Sequence, residues 1–245
     1  MNIIVACEES QSITKELRKL GHNTYSCDLL PSSGGYKEWH YKGDIFDIIN
    51  KKTITFITEN KTKVRIQKWD IMIAHPPCTF LAVSGARWFY HPNDSHLPTN
   101  ERRSHPKFPN RRKDQSNAIS FVERLWNSDI EKIAIENPIG VLSSSSLGKP
   151  TQIIQPWWFG DNATKTTCYW TKNLPKLKKS PKIGKSEKNG KKINKGEMLT
   201  FSSGKKMQKW YAEALTKAKT PVERRILRSK TFPNMAKAIA EQWTK

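Results

Sequence analysis

With 245 residues, of which 36% are hydrophobic, the chain is long enough for one large domain whose core must be concentrated in a few segments. Lysine and arginine number 43 against 22 acids, a formal charge of +21. That excess argues against a partner-neutral surface and for a polyanion, because each cation near a phosphate releases a condensed counterion. No apolar run approaches the ~20 residues of a membrane span. The start, Met1 to Val5, lacks the basic and long apolar regions of a signal peptide, so a cytoplasmic protein is expected. Cys7, Cys27, Cys78 and Cys168 form no Cys-x-x-Cys pair, so no metal site is expected. A disulfide framework is unusual inside cells, which leaves at least one cysteine for reactivity.

In chain order, Ile3 to Cys7 reads as a buried parallel strand running into Glu8, Glu9 and Ser10. Ile13, Leu17 and Leu20 then recur at helical spacing, with Gly21 as a stop. A weaker strand, Thr24 to Cys27, ends at Asp28. Ile71 to Ala74 is the next apolar run and leads into His75-Pro76-Pro77-Cys78.

Residues 85–113 carry Arg87, Arg102, Arg103, Lys107, Arg111, Arg112 and Lys113 beside Trp88, Phe89, Tyr90 and Phe108. Prolines 92, 98, 106 and 109 break any long helix there. So many aromatics favour an ordered basic loop over a linker. A helix follows through Ala118, Phe121, Val122 and Leu125, with Asp114 as its N-cap. The run Ile133 to Ile135 is a further strand and ends in Glu136-Asn137-Pro138.

Residues 172–196 hold ten lysines and one acid, the composition of a flexible or marginally ordered insert. Met235, Ile239 and Trp243 share a helix face behind Pro233. The expected division is a core over 1–170, a lysine-rich insert or minimal recognition region over 171–205, and C-terminal helices over 206–245.

Alternating strands and helices predict an open α/β sheet. Ligands of such sheets bind beyond the carboxyl ends of the strands, and right-handed crossovers would set those ends along one edge. Pro76 and Pro77 stiffen their turn and remove two backbone donors, holding Cys78 at a fixed angle. A thiolate in an electropositive, partly open site is a strong nucleophile; the alternative is a buried structural cysteine. A carboxyl such as Glu136 can hydrogen-bond the ring nitrogen and exocyclic amine of a cytosine. Burial would raise its pKa and suit it to donate a proton; the alternative is a loop-fixing Glu-Asn pair.

Seven stretches then stand in a familiar order: VACEESQ (5–11), SCDLLPS (26–32), GDIFD (43–47), AHPPC (74–78), AIENPIG (134–140), IIQPWWFGDNATKTTCYW (153–170) and RSKTFPNMAKAIAEQW (228–243). With them the chain resembles the DNA cytosine-5 methyltransferases, most closely a compact, phage-type branch, which implies a phage- or prophage-borne gene. The resemblance implies a Rossmann-like, S-adenosylmethionine-dependent methyltransferase fold: a mostly parallel twisted sheet with helices on both faces. Cys78 would add to carbon 6 of cytosine and Glu136 would protonate nitrogen 3, with Pro77 and Asn137 completing the two motifs.

The same resemblance implies a donor site. Cys7, Glu8, Glu9 and Ser10 would face the donor, Asp28 its ribose and Asp44 its adenine, with Pro76 and Asn234 closing the site. The helix from Pro233 would pack against this half. The partner would be double-stranded DNA with the target base rotated out of the stack. The basic loop would close over that base, with Arg87, Arg102, Arg103, Arg111 and Arg112 on phosphates.

Three departures stand out. The first turn has Cys7-Glu8-Glu9 in place of a glycine-rich pattern. The Gln-x-Arg-x-Arg motif is absent, leaving Arg87 or Lys165 to supply its cation. No long recognition domain fits between 138 and 228. Rival readings are an adenine amino-methyltransferase, which would want an aromatic residue where Cys78 stands, and a catalytically silent DNA-masking protein. RNA is the alternative polymer.

Overall fold

Ile3, Ile4, Val5 and Ala6, Ile71 to Ala74, and Ile133 to Ile135 are all at most 1% exposed. Continuous apolar runs of this kind need cover on both faces, and the architecture supplies it. The computed structural model describes residues 1–50 and 53–245. The first half contains β1 (Asn2–Ala6), α1 (Ser12–Lys19), β2 (Asn23–Asp28), β3 (His40–Lys42) and α2 (Phe46–Ile49). It continues with β4 (Ile54–Ile57), β5 (Lys63–Ile66), β6 (Ile71–Ala74) and α3 (Arg111–Trp126). Next come β7 (Lys132–Asn137), β8 (Gln152–Ile154), β9 (Thr167–Lys172) and α4 (Pro181–Lys188). The chain closes with β10 (Met198–Thr200), β11 (Lys206–Gln208), α5 (Lys209–Lys217), α6 (Pro221–Ser229) and α7 (Pro233–Trp243).

Seven strands form one sheet in the order β3-β2-β1-β6-β7-β9-β8. Neighbours from β3 to β7 pair in parallel, while β9 runs antiparallel to both β7 and β8. The order doubles back at β1, the switch point of a doubly wound sheet. A reversed strand inserted before the last one completes the Rossmann-like methyltransferase fold that the resemblance implied.

Side-chain alternation splits the apolar runs between two cores. Ile4, Ala6, Met72, Ile133 and Ile135 face a core shared with α2, α3 and the β4–β5 hairpin. Ile3, Val5, Ile71, Ile73 and Ala134 face another, shared with Ile13 and Leu17 of α1 and Met235, Ile239 and Trp243 of α7. The C-terminal helix thus lies beside α1, on the face that flanks the first turn.

Several expectations need correction. Cys7 is not part of β1: its φ is 58°, and the chain turns there. Leu20 is the C-cap of α1 and is 45% exposed, so the buried helix face ends at Leu17. The N-cap of α3 is Asn110, and Asp114 sits inside its first turn.

Residues 172–196 are more ordered than their composition implied. Lys178 exchanges two backbone hydrogen bonds with the Gln242 side chain, at 2.7 and 3.0 Å. Leu177 is buried, and Ser180 caps α4 through Ile183 N–H. A few anchors on α7 outweigh the low apolar content. The β4–β5 hairpin went unread although its signal was present: Ile54, Phe56, Val64 and Ile66 alternate with exposed residues on either side of a turn. No helix among the described residues is long and apolar enough to cross a membrane.

Candidate active site

Strand register builds the site. Ala6 is level with Cys27 on one side and Ala74 on the other, and Ala74 is level with Ile135. One residue further on, each strand delivers a reactive group to the same carboxyl edge: Asp28, Cys7, His75 and Glu136. Glu136 is also level with Tyr169 on the reversed β9.

The turn after β6 is held from three directions. His75 N–H donates to the Ala6 carbonyl at 2.9 Å. The buried Asn137 side chain donates to the Pro76 carbonyl at 2.9 Å. The Cys78 carbonyl accepts from both Leu81 and Ala82 N–H at 3.0 Å. Pro76 is buried, while Pro77 and Cys78 are exposed.

The segment after Cys78 lies against the one after Asn137. Val141 N–H donates to Leu81 O at 2.9 Å and Val83 N–H to Ile139 O at 3.1 Å. Gly140 is required at this contact, because a Cβ there would lie 1.9 Å from the Leu81 carbonyl oxygen. The sequence did not announce this clamp; it is long-range pairing between two loops. It keeps the Cys78 and Glu136 turns side by side.

Glu136 differs from expectation in its electrostatics. Burial raises its pKa, but the hydrogen bond from His75, the charge of Lys165 and the charge of His75 together bring it below the usual carboxylate value. Nδ1 of His75 lies 3.3 Å from Oε2 of Glu136. The expectation that burial would leave the carboxyl raised is therefore reversed. Lys165, a candidate for the cation of the absent Gln-x-Arg-x-Arg motif, is near enough for its charge to act on Glu136.

On the other side of the switch point, the β1–α1 turn uses two left-handed residues, Cys7 and Gln11. Glu8 is buried, and both its oxygens turn inward: Oε1 accepts from Ile13 N–H at 2.7 Å and Oε2 from the Thr14 hydroxyl at 2.7 Å. It caps α1 in place of the glycine-rich turn, and so does not face a ligand with its carboxylate. Burial raises its pKa against the opposing effects of His75, Thr14 and Ile13. Glu9 is buried and accepts from the Ser33 hydroxyl.

Gln11, which sequence reading passed over, binds both the N–H and the carbonyl of Tyr36 and so holds the loop after β2 over the turn. Asp28 accepts from Leu30 N–H and Asp44 from Phe46 N–H, at 2.9 and 3.0 Å. Both are therefore engaged in turn chemistry. They also lie close enough to Cys7 that, after burial itself, their charges push its thiol pKa far up.

A cavity of about 450 Å³ joins this turn to the start of the C-terminal helix, lined by Ser10, Ser12, Ser33, Trp210, Phe232 and Pro233 among others. Asn234 sits at that helix start. Its backbone N–H and side chain each donate to Asp161 at 3.1 Å, and Met235 N–H does so at 2.9 Å. Asp161 is the cap that fixes α7 here, and sequence reading missed it. Lys15, Lys217, Lys230 and Glu213 also line the cavity, while Asp28 and Asp44 stand outside its lining, at the end of β2 and just beyond β3.

The basic loop is braced by the arginines expected to reach outward. Arg111 is 6% exposed, donates to Thr79 O at 2.8 Å, and lies over the Phe80 and Phe89 rings. Burial lowers its pKa. It is a loop strut, which corrects its assignment to phosphate contact. Arg102 donates to the Leu97 and Ser95 carbonyls, and Arg103 pairs with buried Asp94 at 2.6 Å. Arg87 lies over Trp88 and Arg112 over Tyr90, and both remain exposed.

No family model matches the sequence, and no curated protein matches it. The structure is similar to that of a prophage-encoded E. coli protein assigned as a DNA modification methyltransferase. The two share 12% identity with a TM-score of 0.38, over 70% of this chain and 46% of that one. The chain thus spans under half the length of that neighbour. Fold and site together define a class: a Rossmann-like sheet that carries an exposed thiol and a carboxylate at one carboxyl edge.

Proposed function

We propose that the protein transfers a methyl group from S-adenosylmethionine to carbon 5 of cytosine in DNA, through a covalent Cys78 adduct. One observation carries the reading. Parallel register brings the exposed Cys78 turn and Glu136 to the same sheet edge, and the Asn137–Pro76 hydrogen bond locks the two strand ends together.

The donor supplies an electrophilic methyl group. Ser10, Ser33, Asp28 and Asp44 would hold it, with Pro76 and Asn234 bounding the cleft. Cys78 attacks carbon 6 as the thiolate. Glu136 holds nitrogen 3 and the exocyclic amine, so that the electron pair displaced by the attack is neutralised at nitrogen 3. A base inside a duplex cannot present carbon 6 to a thiol, so the target base leaves the stack. Loop 85–113, stiffened by Arg111 and by the Asp94–Arg103 pair, closes over it and offers Arg87 and Arg112 to the backbone. The β10–β11 ribbon, with Met198, Leu199 and Phe201 exposed among lysines, is the minimal recognition element.

DNA containing 5-fluorocytosine tests this, because the fluorine cannot leave as a proton would and the adduct accumulates. The expected result is a donor-dependent covalent complex with the native chain and none with Cys78→Ser. Methyl transfer that survives Cys78→Ser would favour an amine-methylating enzyme. Tight DNA binding without any adduct or methyl transfer would favour a masking protein.

A further inference from the structure

Resting on that reading, we infer that the β10–β11 ribbon enters the major groove beside the target cytosine, where Leu199 and Phe201 read the carbon-5 methyl groups of neighbouring thymines. In the ribbon Met198 stands opposite Gln208, Leu199 opposite Met207 and Thr200 opposite Lys206. Leu199 and Phe201, two residues apart, therefore share one face with Met207. The turn is tight: Gly204 N–H donates to Phe201 O at 2.8 Å and Phe201 N–H to Lys205 O at 2.9 Å, with Gly204 at a φ of 77°. All of β10 is exposed, and Leu199 and Phe201 are each 39% exposed.

The foot of the ribbon is held at the edge that carries Glu136. A Cβ on Gly196 would lie 2.5 Å from the Asn162 carbonyl oxygen, so the two backbones are in close contact there. The Thr164 hydroxyl donates to Lys195 O at 3.1 Å, and Thr164 N–H donates to the Gln208 side chain at 3.4 Å. Lys209 N–H donates to Glu197 O at 2.8 Å and closes the base. β9 runs antiparallel to β7, with Asn137 level with Cys168. The residues that lead into β9 therefore lie beyond the carboxyl end of β7, on the edge where Glu136 and the Cys78 turn stand.

The surroundings select the partner. Glu187 and Glu197, the acids between 172 and 209, are each paired with a lysine, Lys179 and Lys209. Lys191, Lys192, Lys205 and Lys206 are exposed and in no ion pair among the described residues. A second copy of the chain would set like charge against like, so the apolar face is matched to a polyanion. A two-stranded ribbon fits the major groove of a duplex, about 12 Å wide. Base edges there offer hydrogen-bonding groups and one apolar group, the thymine methyl. Leucine and phenylalanine side chains make no hydrogen bond, so the methyl is the feature they can tell apart. Gln208, a residue type suited to adenine, is engaged with Thr164 instead.

Duplexes with A·T pairs on both sides of one target cytosine test the inference, compared with the same duplexes carrying uracil for thymine. Uracil keeps every hydrogen-bonding group and lacks only the methyl. Native affinity should fall about fourfold for each methyl read, the weight of one buried methyl group. Leu199→Ser combined with Phe201→Ser should bind both duplexes alike and melt at the native temperature, since both side chains are exposed. Equal native affinity for the two duplexes would overturn the inference, as would a double variant that still prefers thymine. Ribbon-dependent binding to phosphatidylserine vesicles, with no preference between the duplexes, would overturn it in favour of a lipid surface. A native chain that prefers thymine but forms no adduct with 5-fluorocytosine DNA would instead overturn the functional reading beneath it.

Discussion

Asn137 acts on backbone rather than on substrate. Its Nδ2 is the donor that satisfies the Pro76 carbonyl in a turn where two prolines have removed donors of their own. Asn137→Ala should leave that buried oxygen unpaired at a cost of roughly 1–3 kcal/mol, read from the urea midpoint. It should also slow adduct formation more than it weakens donor binding, because the displaced group is the Cys78 turn. Gly140→Ala should do similar harm by a different route: the new methyl cannot coexist with the Leu81 carbonyl 1.9 Å away. The loops must part, and loss of adduct formation with retained DNA affinity is the expected signature.

Elements in this molecule are joined by single polar residues at their ends. Asp161, in the segment between β8 and β9, caps α7 by accepting from the N–H groups of Asn234 and Met235. Asp161→Ala should cost about 0.5–2 kcal/mol and lower donor affinity, since the start of α7 borders the cleft. Calorimetric melting and donor titration check both effects. The basic loop depends on Asp94 in the same way. Hydrogen bonds from Arg103 hold the Asp94 carboxyl far below its ordinary value, against a smaller burial effect. A depressed acid stabilises above its unfolded-state pKa and loses that contribution as pH falls toward the folded value. The loop should therefore be protected at neutral pH and loosen in acid. Hydrogen exchange over 85–113, corrected for intrinsic rates, should show this, and Asp94→Asn should exchange fast at every pH.

For the whole molecule, the charge of +21 sets the expectation for association with the proposed DNA partner. Several arginines of the basic loop are committed to internal contacts, so on the proposed reading phosphate contact would fall to exposed cations such as Arg87, Arg112 and the lysines of 172–209. If about six of them reach phosphates, affinity should fall by roughly three orders of magnitude between 50 and 200 mM salt. A shallow slope in a salt titration would show that the lysine excess serves solubility alone.

The sequence by itself located strands at 3–7, 71–74 and 133–135, which fold as 2–6, 71–74 and 132–137, because an apolar run that is buried on both faces is written in local composition. It also determined that one such strand runs into the Cys78 turn and another into Glu136, and parallel register then brought both to the same sheet edge. Local pattern was equally present, though unread, in the β4–β5 hairpin. Tertiary structure alone decided the rest. That Asp161 caps a helix whose first amides lie 73 and 74 residues further along the chain, and that Arg111 is a strut, are facts of long-range pairing. The protonation of Glu136 belongs with them: burial raises a carboxyl and a neighbouring imidazole lowers it, and only the folded chain fixes which neighbour stands within reach.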